Sequence, residues 1–314
     1  MSPDQPRGGA RTATKLTVEV AGRQLVLSNL DKPLYPDGGF TKGEMVDYYT
    51  RIAPVLLPHV AGRPLTVKRY PDGVDGPSFF EKNAPSHTPA WVRTVILPSP
   101  GSTKDRGQVR YLVLEALPEL VWAANLASIE LHVPMWRVDD SGRPQNPDRL
   151  VIDLDPGPPA TIVECCTVAQ RVREALAMDG LDAQPKTSGS KGLQLYVALD
   201  GSRGWEHVHA YARQLAERLE RAGDGLVVSS MRKDIRRGKV LIDWSQNNAA
   251  KTTVAPYSLR ARPEPTASTP VSWDEIRACR RPEDLRFEAT DVLARVERDG
   301  DLFAAVLTES YPLP

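Results

Sequence analysis

Two aspartates, Asp153 and Asp155, stand one residue apart in the run VIDLDPGP. On a strand, residues two apart share a face at a spacing of roughly 6–7 Å. Both carboxylates would then project together, with Ile152 and Leu154 turned into the core. Paired carboxylates repel unless a cation sits between them, and Mg²⁺ or Mn²⁺ suits oxygen ligands shared with substrate phosphates. Asp is also common where a strand closes into a Pro-Gly turn, so the pair alone does not decide. Asp243, in VLIDWSQ, adds weight, because an acid inside an apolar strand is rare unless paired or metal-bound. Three carboxylates converging on one sheet face is what two-metal phosphoryl transfer requires.

Other candidates have a bland alternative each. In KTSGSKG, Lys186 to Gly192, the segment Ser188-Gly189-Ser190 offers backbone N–H groups and hydroxyls to an anion, with Lys191 as a point charge and Gly192 closing the loop. The Walker A spacing is absent, and a plain Ser/Gly turn would look the same. His132, in SIELHVPMW, reads as a ligand or as a satisfied core residue. Ser258 and Arg260 follow the Asp243 strand, and Arg260 is either a second charge for a triphosphate or a solvated surface residue. Phe79 and Phe80, in a loop context beside Lys82, suit base stacking or loop anchoring. MRKDIRRGK, which includes Arg236, sets five cations against one Asp just before the Asp243 strand, as a polyanionic substrate would favour. Lys32, Lys42 and Lys68 are weaker candidates for DNA contact.

These residues need a frame. Arg149–Asp155 reads as a strand, Thr161–Met178 as a helix closed by Gly180, and residues 183–187 and 193–199 as two short strands. A helix from Trp205 to Arg221 and a strand from Lys239 to Trp244 complete a βαββαβ order, the split arrangement of ferredoxin-like and RNA-recognition-like folds. The fold class is α+β. Upstream, the spacing predicts a disordered tail over 1–13, a hairpin from Leu16, a helix over Lys42–Val60, a strand over Pro64–Tyr70 and an exposed loop over Ser99–Gly107. The organisation expected is an N-terminal α/β part (14–148), a catalytic core (149–260), a C-terminal helical appendage with acidic solvated faces (261–300) and a tail (301–314).

Composition sets the limits. The 314 residues carry 40 basic and 40 acidic side chains, which excludes a histone-like blanket of positive charge but not local patches. Three cysteines make neither a disulfide framework nor a four-ligand zinc site, and a reducing, cytoplasmic setting fits them. No run approaches the roughly 18 apolar residues of a membrane span.

Taken together, LDKPLYPDGGFTKGEM, FFEKNAP, IELHVP, VIDLDP, TSGSKGL, VLIDWSQN and APYSLRARP occur in an order that resembles the polymerase domain of bacterial multifunctional DNA ligase D, in the archaeo-eukaryotic primase superfamily. The resemblance runs from about Leu27 to Thr290. It implies a template-dependent nucleotidyltransferase that fills gaps and extends broken DNA ends in non-homologous end joining, prefers ribonucleotides and works beside Ku and a ligase. It implies two Mn²⁺ or Mg²⁺ ions on Asp153, Asp155 and Asp243. A nucleoside triphosphate would be held by His132, Ser188, Ser190, Lys191, Gly192 and Arg260. It further implies a 5′-phosphate pocket at Lys32 and Lys42, template stacking on Phe79 and Phe80, DNA contacts at Lys68 and Lys82, and end alignment by the loop holding Arg236. One departure is Gln194, where the family commonly has His. No K-x-D-G adenylation signature is present, which points to a stand-alone polymerase or a piece of a longer protein. A de novo primase and a catalytically silent end-bridging module are the rival readings.

Overall fold

In the computed structural model the described residues are 15–98, 107–223 and 225–314. The expected N-terminal tail and most of the expected loop at 99–107 lie outside them. A short hairpin, Lys15–Val20 with Arg23–Ser28, precedes the helix Lys42–Val60. Thr41 starts that helix, its hydroxyl accepting from the Glu44 N–H while the Glu44 carboxylate accepts from the Thr41 N–H. This reciprocal cap satisfies two orphan donors of the first turn. Met45, Tyr49, Ile52 and Leu56 form its buried stripe.

Two sheets divide the work. The N-terminal sheet has the order Thr253–Val254, Ser128–Val133, Thr66–Arg69, Phe79–Glu81. The sheet of the expected catalytic core, called the catalytic sheet below, has the order Gln184–Thr187, Leu193–Ala198, Arg149–Pro156, Val240–Asp243, Val227–Val228. Its outermost strand, Val227–Val228, is a fifth that the sequence pattern did not announce, and it pairs parallel to Val240–Asp243. The helices Ile162–Met178 and Trp205–Ala222 cover one face. Leu150, Ile152 and Leu154 point into that layer, against Cys165, Val172, Ala212 and Leu215.

The opposite face is closed in part by the end of the chain. Phe303 and Val306 are buried against Val151 and Tyr196, and the Phe303 and Tyr196 rings meet edge to face at 5.4 Å. The expected 301–314 tail is therefore packed structure, with Leu313 buried and Tyr311 bridged to Leu199. Few apolar residues do this, which is why the sequence pattern missed it. The preceding segment is also tied in: Val271, Ile276, Cys279 and Leu285 join the helix-side core of the catalytic sheet.

One crossover positions the site. After Asp243 the chain turns through Trp244–Asn247 and adds Thr253–Val254 to the N-terminal sheet, with Val254 opposite His132. His132 is thereby carried to the open end of the catalytic sheet.

Candidate active site

The pairing of the strands sets the carboxylates. Asp153 lies directly opposite Asp243 on one side and opposite Gln194 on the other. Single ligand oxygens of Asp153, Asp155 and Asp243 all lie within 4.8 Å of one another. Asp153 is buried and Asp155 exposed. Burial and the neighbouring Asp155 and Asp243 charges push the Asp153 carboxyl up to about 8. Burial and Asp243 also raise Asp155, against Arg236, Lys191 and Arg260. Asp243 is held by the Ser245 N–H at 3.0 Å, the Ser245 hydroxyl at 2.6 Å and the Gln246 amide at 2.9 Å. An all-oxygen, mutually repelling trio of this kind fits a hard divalent cation, which relieves the repulsion that burial intensifies.

A cavity of about 250 Å³ opens over the trio. Its lining includes His132, Asp153, Asp155, Ser188, Ser190, Lys191, Gly192 and Arg260, so every nucleotide-site candidate from the sequence reaches one space with two of the three acids. The Ser188–Gly192 loop is clamped from beneath. Arg260 donates to the Ser188 carbonyl at 2.5 Å, Thr266 to the Gly189 carbonyl at 2.7 Å, and Arg262 to the Ser190 hydroxyl. Two glycines make the loop possible. Gly189 has φ +65° and presses on Ala267, and a Cβ on Gly192 would lie 2.2 Å from the Leu154 carbonyl.

Three residues the sequence reading passed over complete the site. Glu130, almost fully buried, bonds His132 Nε2 at 2.8 Å, accepts from the Ala261 N–H at 3.1 Å and faces Arg260 at 3.4 Å. Burial alone would raise its carboxyl, but His132 and Arg260 hold it down at about 2. As an ionised carboxylate can only accept, His132 Nε2 carries the proton. Glu130 stands two residues before His132 on one strand, so same-face spacing was the available signal. Gln246 and Arg262 are the others, and both flank residues already singled out.

The DNA candidates lie outside this cavity. Phe79 and Phe80 sit on an edge strand rather than in a loop, yet both rings are more than half exposed, and Phe80 meets His132 edge to face at 5.7 Å. Lys68 pairs across from Phe80, its ammonium over the Tyr70 ring at 5.0 Å. Lys82 lines a separate, larger groove. Arg236 donates to the Met231 carbonyl at 2.5 Å, close to the Gly157 turn that ends the Asp153 strand. Lys32 pairs with Asp72 at 2.7 Å. Lys42 is buried, its ammonium 2.6 Å from the Ser28 carbonyl, and burial together with the Lys32 and Arg69 charges lowers it to about 8.

An acidic trio, a Ser/Gly loop and two cations, Lys191 and Arg260, gathered at the end of a mostly antiparallel sheet are suited to binding a metal and a phosphate group. Comparison with known proteins narrows the class. The family model for the LigD primase-polymerase domain matches residues 41–303, and the chain belongs to that family, whose domain is a DNA-directed nucleotidyltransferase. It is 46% identical over 279 residues to the multifunctional non-homologous end joining protein LigD of Mycolicibacterium smegmatis, covering 88% of this chain and 35% of that protein. It is 43% identical over 286 residues to the Mycobacterium tuberculosis LigD DNA repair protein, covering 89% and 36%. The chain thus spans about a third of the length of these relatives. The polymerase domain from Mycobacterium tuberculosis ligase D, solved in complex with DNA, superposes with a TM-score of 0.85 at 42% identity, covering 91% of this chain and 99% of that one.

Proposed function

We propose that the chain is a template-dependent polymerase that fills gaps and extends broken DNA ends, prefers ribonucleotides, and acts in non-homologous end joining in the cytoplasm at the nucleoid, beside Ku and a ligase activity. The observation that carries this is the meeting of Asp153 and Asp155, with Asp243 beside them, and the Ser188–Gly192 loop, Lys191 and Arg260 around one cavity. Asp153, Asp155 and Asp243 hold two divalent ions, Mn²⁺ or Mg²⁺. Such ions, when bound, lower the pKa of a primer 3′-hydroxyl and offset charge on the triphosphate.

The protein's own part is positioning and electrostatics. Lys191 and Arg260 neutralise the phosphates, and the Ser188 and Ser190 hydroxyls with the Gly189 to Gly192 backbone orient them. His132, fixed by Glu130, borders the nucleotide. Exposed Phe79 and Phe80 stack on template bases, with Lys68 and Lys82 along the backbone. Lys42, with Lys32 near it, receives a downstream 5′-phosphate, and the Arg236 loop aligns ends. The RNA-recognition-like βαββαβ core supplies the platform.

The test is primer extension on a gapped duplex with a 5′-phosphate, comparing ribo- and deoxynucleotides in Mn²⁺ and Mg²⁺, wild type beside Asp153→Ala. Metal-dependent extension that the variant loses, with DNA still bound, supports the reading. Extension by the variant overturns the assignment of the trio. Product on unprimed template identifies a primase, and binding without any extension an end-bridging module.

A further inference from the structure

Beneath the acidic trio the strand pairing lines up a row of polar side chains. Lys186 lies opposite Gln194, Gln194 opposite Asp153, and Asp153 opposite Asp243, across four adjacent strands. Directly opposed residues share a face with Cβ atoms roughly 4.5–5.5 Å apart, so the row is a consequence of register. Its far end is unusual. Lys186 is completely buried, and no carboxylate lies within ion-pair distance of it among the described residues. Its ammonium instead meets the Gln194 Oε1 at 2.6 Å, the Ser268 hydroxyl at 2.6 Å and the Val254 carbonyl at 3.1 Å. The Gln194 Nε2 then donates to Asp153 Oδ1 at 3.1 Å.

Burial lowers the Lys186 ammonium well below the usual lysine range, and the nearby Asp153 charge acts against that shift. With the lysine charged, each contact admits one direction only. An ammonium has three N–H donors and accepts nothing. The Val254 carbonyl only accepts, and Ser268 already gives its proton to the Thr187 carbonyl at 2.8 Å, so its oxygen is free to accept. The third N–H is left for Gln194. A side-chain amide has an acceptor end and a donor end, and on its own either can face a neighbour. With Lys186 holding the oxygen, the amide must present N–H to Asp153.

We propose that Lys186 and Gln194 are positioning residues that act as one unit on the metal site, the lysine orienting the amide and the amide aiming Asp153 Oδ2 at the cation. A carboxylate with one oxygen tied by a neutral donor keeps its charge and loses its rotational freedom, as ligands at metal sites do when a neighbouring group orients them. The buried positive charge lies one amide away from the carboxylate. That spacing forms no ion pair that would compete with the metal. This inference rests on the reading of the acidic trio as a metal site.

The experiment is direct Mn²⁺ binding, followed by electron paramagnetic resonance of the free ion and by calorimetry, on the full chain without nucleotide or DNA. The proteins compared are wild type, Lys186→Met, Gln194→Met and the double variant, each checked for folding by thermal melting. Expected is a loss of about 10-fold in Mn²⁺ affinity for each single variant, the size of one charge-assisted or buried hydrogen bond. The double variant should be no weaker than either single one, because the two side chains form one chain of bonds. Losses that multiply in the double variant overturn the proposal, since they would mean two independent effects. Undiminished Mn²⁺ binding by a folded single variant also overturns it. Should Lys186→Met fail to fold, Gln194→Met decides alone, because it leaves Lys186 its bonds to Ser268 and Val254. No Mn²⁺ binding by wild type overturns the metal site itself and this inference with it, whereas equal binding by all four removes only the inference.

Discussion

The acidic end of the catalytic sheet and the Lys42 corner of the N-terminal part both gather like charges, and burial raises the Asp153 and Asp155 carboxyls in the first and lowers the Lys42 ammonium in the second. At the acidic end three carboxylates face one another, and among the described residues no ammonium or guanidinium is bonded to any of them. At the basic corner the neighbours have partners of their own: Lys32 pairs with Asp72, and Arg69 with Glu81 at 2.9 Å. Lys42, among the described residues, meets no carboxylate and bonds a carbonyl and a hydroxyl, both from Ser28. The contrast teaches what each site lacks. On the proposed reading, the trio takes an ion of multiple charge and the corner a single anionic group. The largest effect should follow from Asp155→Asn at the first site. Extension is expected to fall by on the order of a thousand-fold or more, since two-metal chemistry fails without a ligand, while thermal stability holds, because the change relieves repulsion. A variant that melts well below wild type would make the trio a structural cluster and break the contrast.

At the basic corner the expected loss is smaller. Lys42→Ala should weaken binding to gapped DNA with a 5′-phosphate by about 10–100-fold, the range of one hydrogen bond to a charged group. DNA with a 5′-hydroxyl should bind as before. Equal losses on both, measured by fluorescence anisotropy, would make Lys42 an ordinary backbone contact.

A pH series sharpens the same point. Lys42 carries its charge below about 8 and loses it above. Wild type should therefore prefer the phosphorylated end fully at pH 7 and lose the preference at higher pH, the bound phosphate moving the fade somewhat above 8. Stability runs the other way. An unfolded lysine keeps its proton to about 10.4, so burying the charged Lys42 costs stability in full below about 8, and that cost fades as the pH rises from about 8 to 10.4. A phosphate preference that is flat from pH 7 to 10 would place the recognition elsewhere.

The two sites also differ in how far the sequence revealed them. The catalytic strands were legible because Leu150, Ile152 and Leu154 alternate with Asp153 and Asp155, and the helix after them opens on the Thr161–Glu164 cap. What joins the halves was not. Thr253–Val254 is two residues long, and only its long-range pairing with Val133 and His132 gives it meaning. The row from Lys186 to Asp243 is a property of register across four strands, so Gln194 stood out in the sequence only as a departure. The packed chain end rests on Phe303, Val306 and Leu313 in an otherwise polar run, too sparse for a period.

Glu130 tests the finest version of the contrast, a carboxylate whose charge is already matched. Its partners are His132 and Arg260, which is why its carboxyl stays low where Asp153 and Asp155 rise. Glu130→Gln keeps the shape and the oxygen that accepts from Ala261. Its amide can donate to His132, which answers by moving its proton to Nδ1. Arg260 alone loses something that cannot be replaced, the charge opposite its guanidinium. The expected result is a rise of about 3–10-fold in KM for the nucleotide, near 1 kcal/mol, with kcat and the 5′-phosphate preference little changed. A fall in kcat at constant KM would mean that Glu130 acts on the reacting groups themselves. An unchanged KM would mean that Arg260 is held well enough by the Ser188 carbonyl, and that Glu130 serves only the fold.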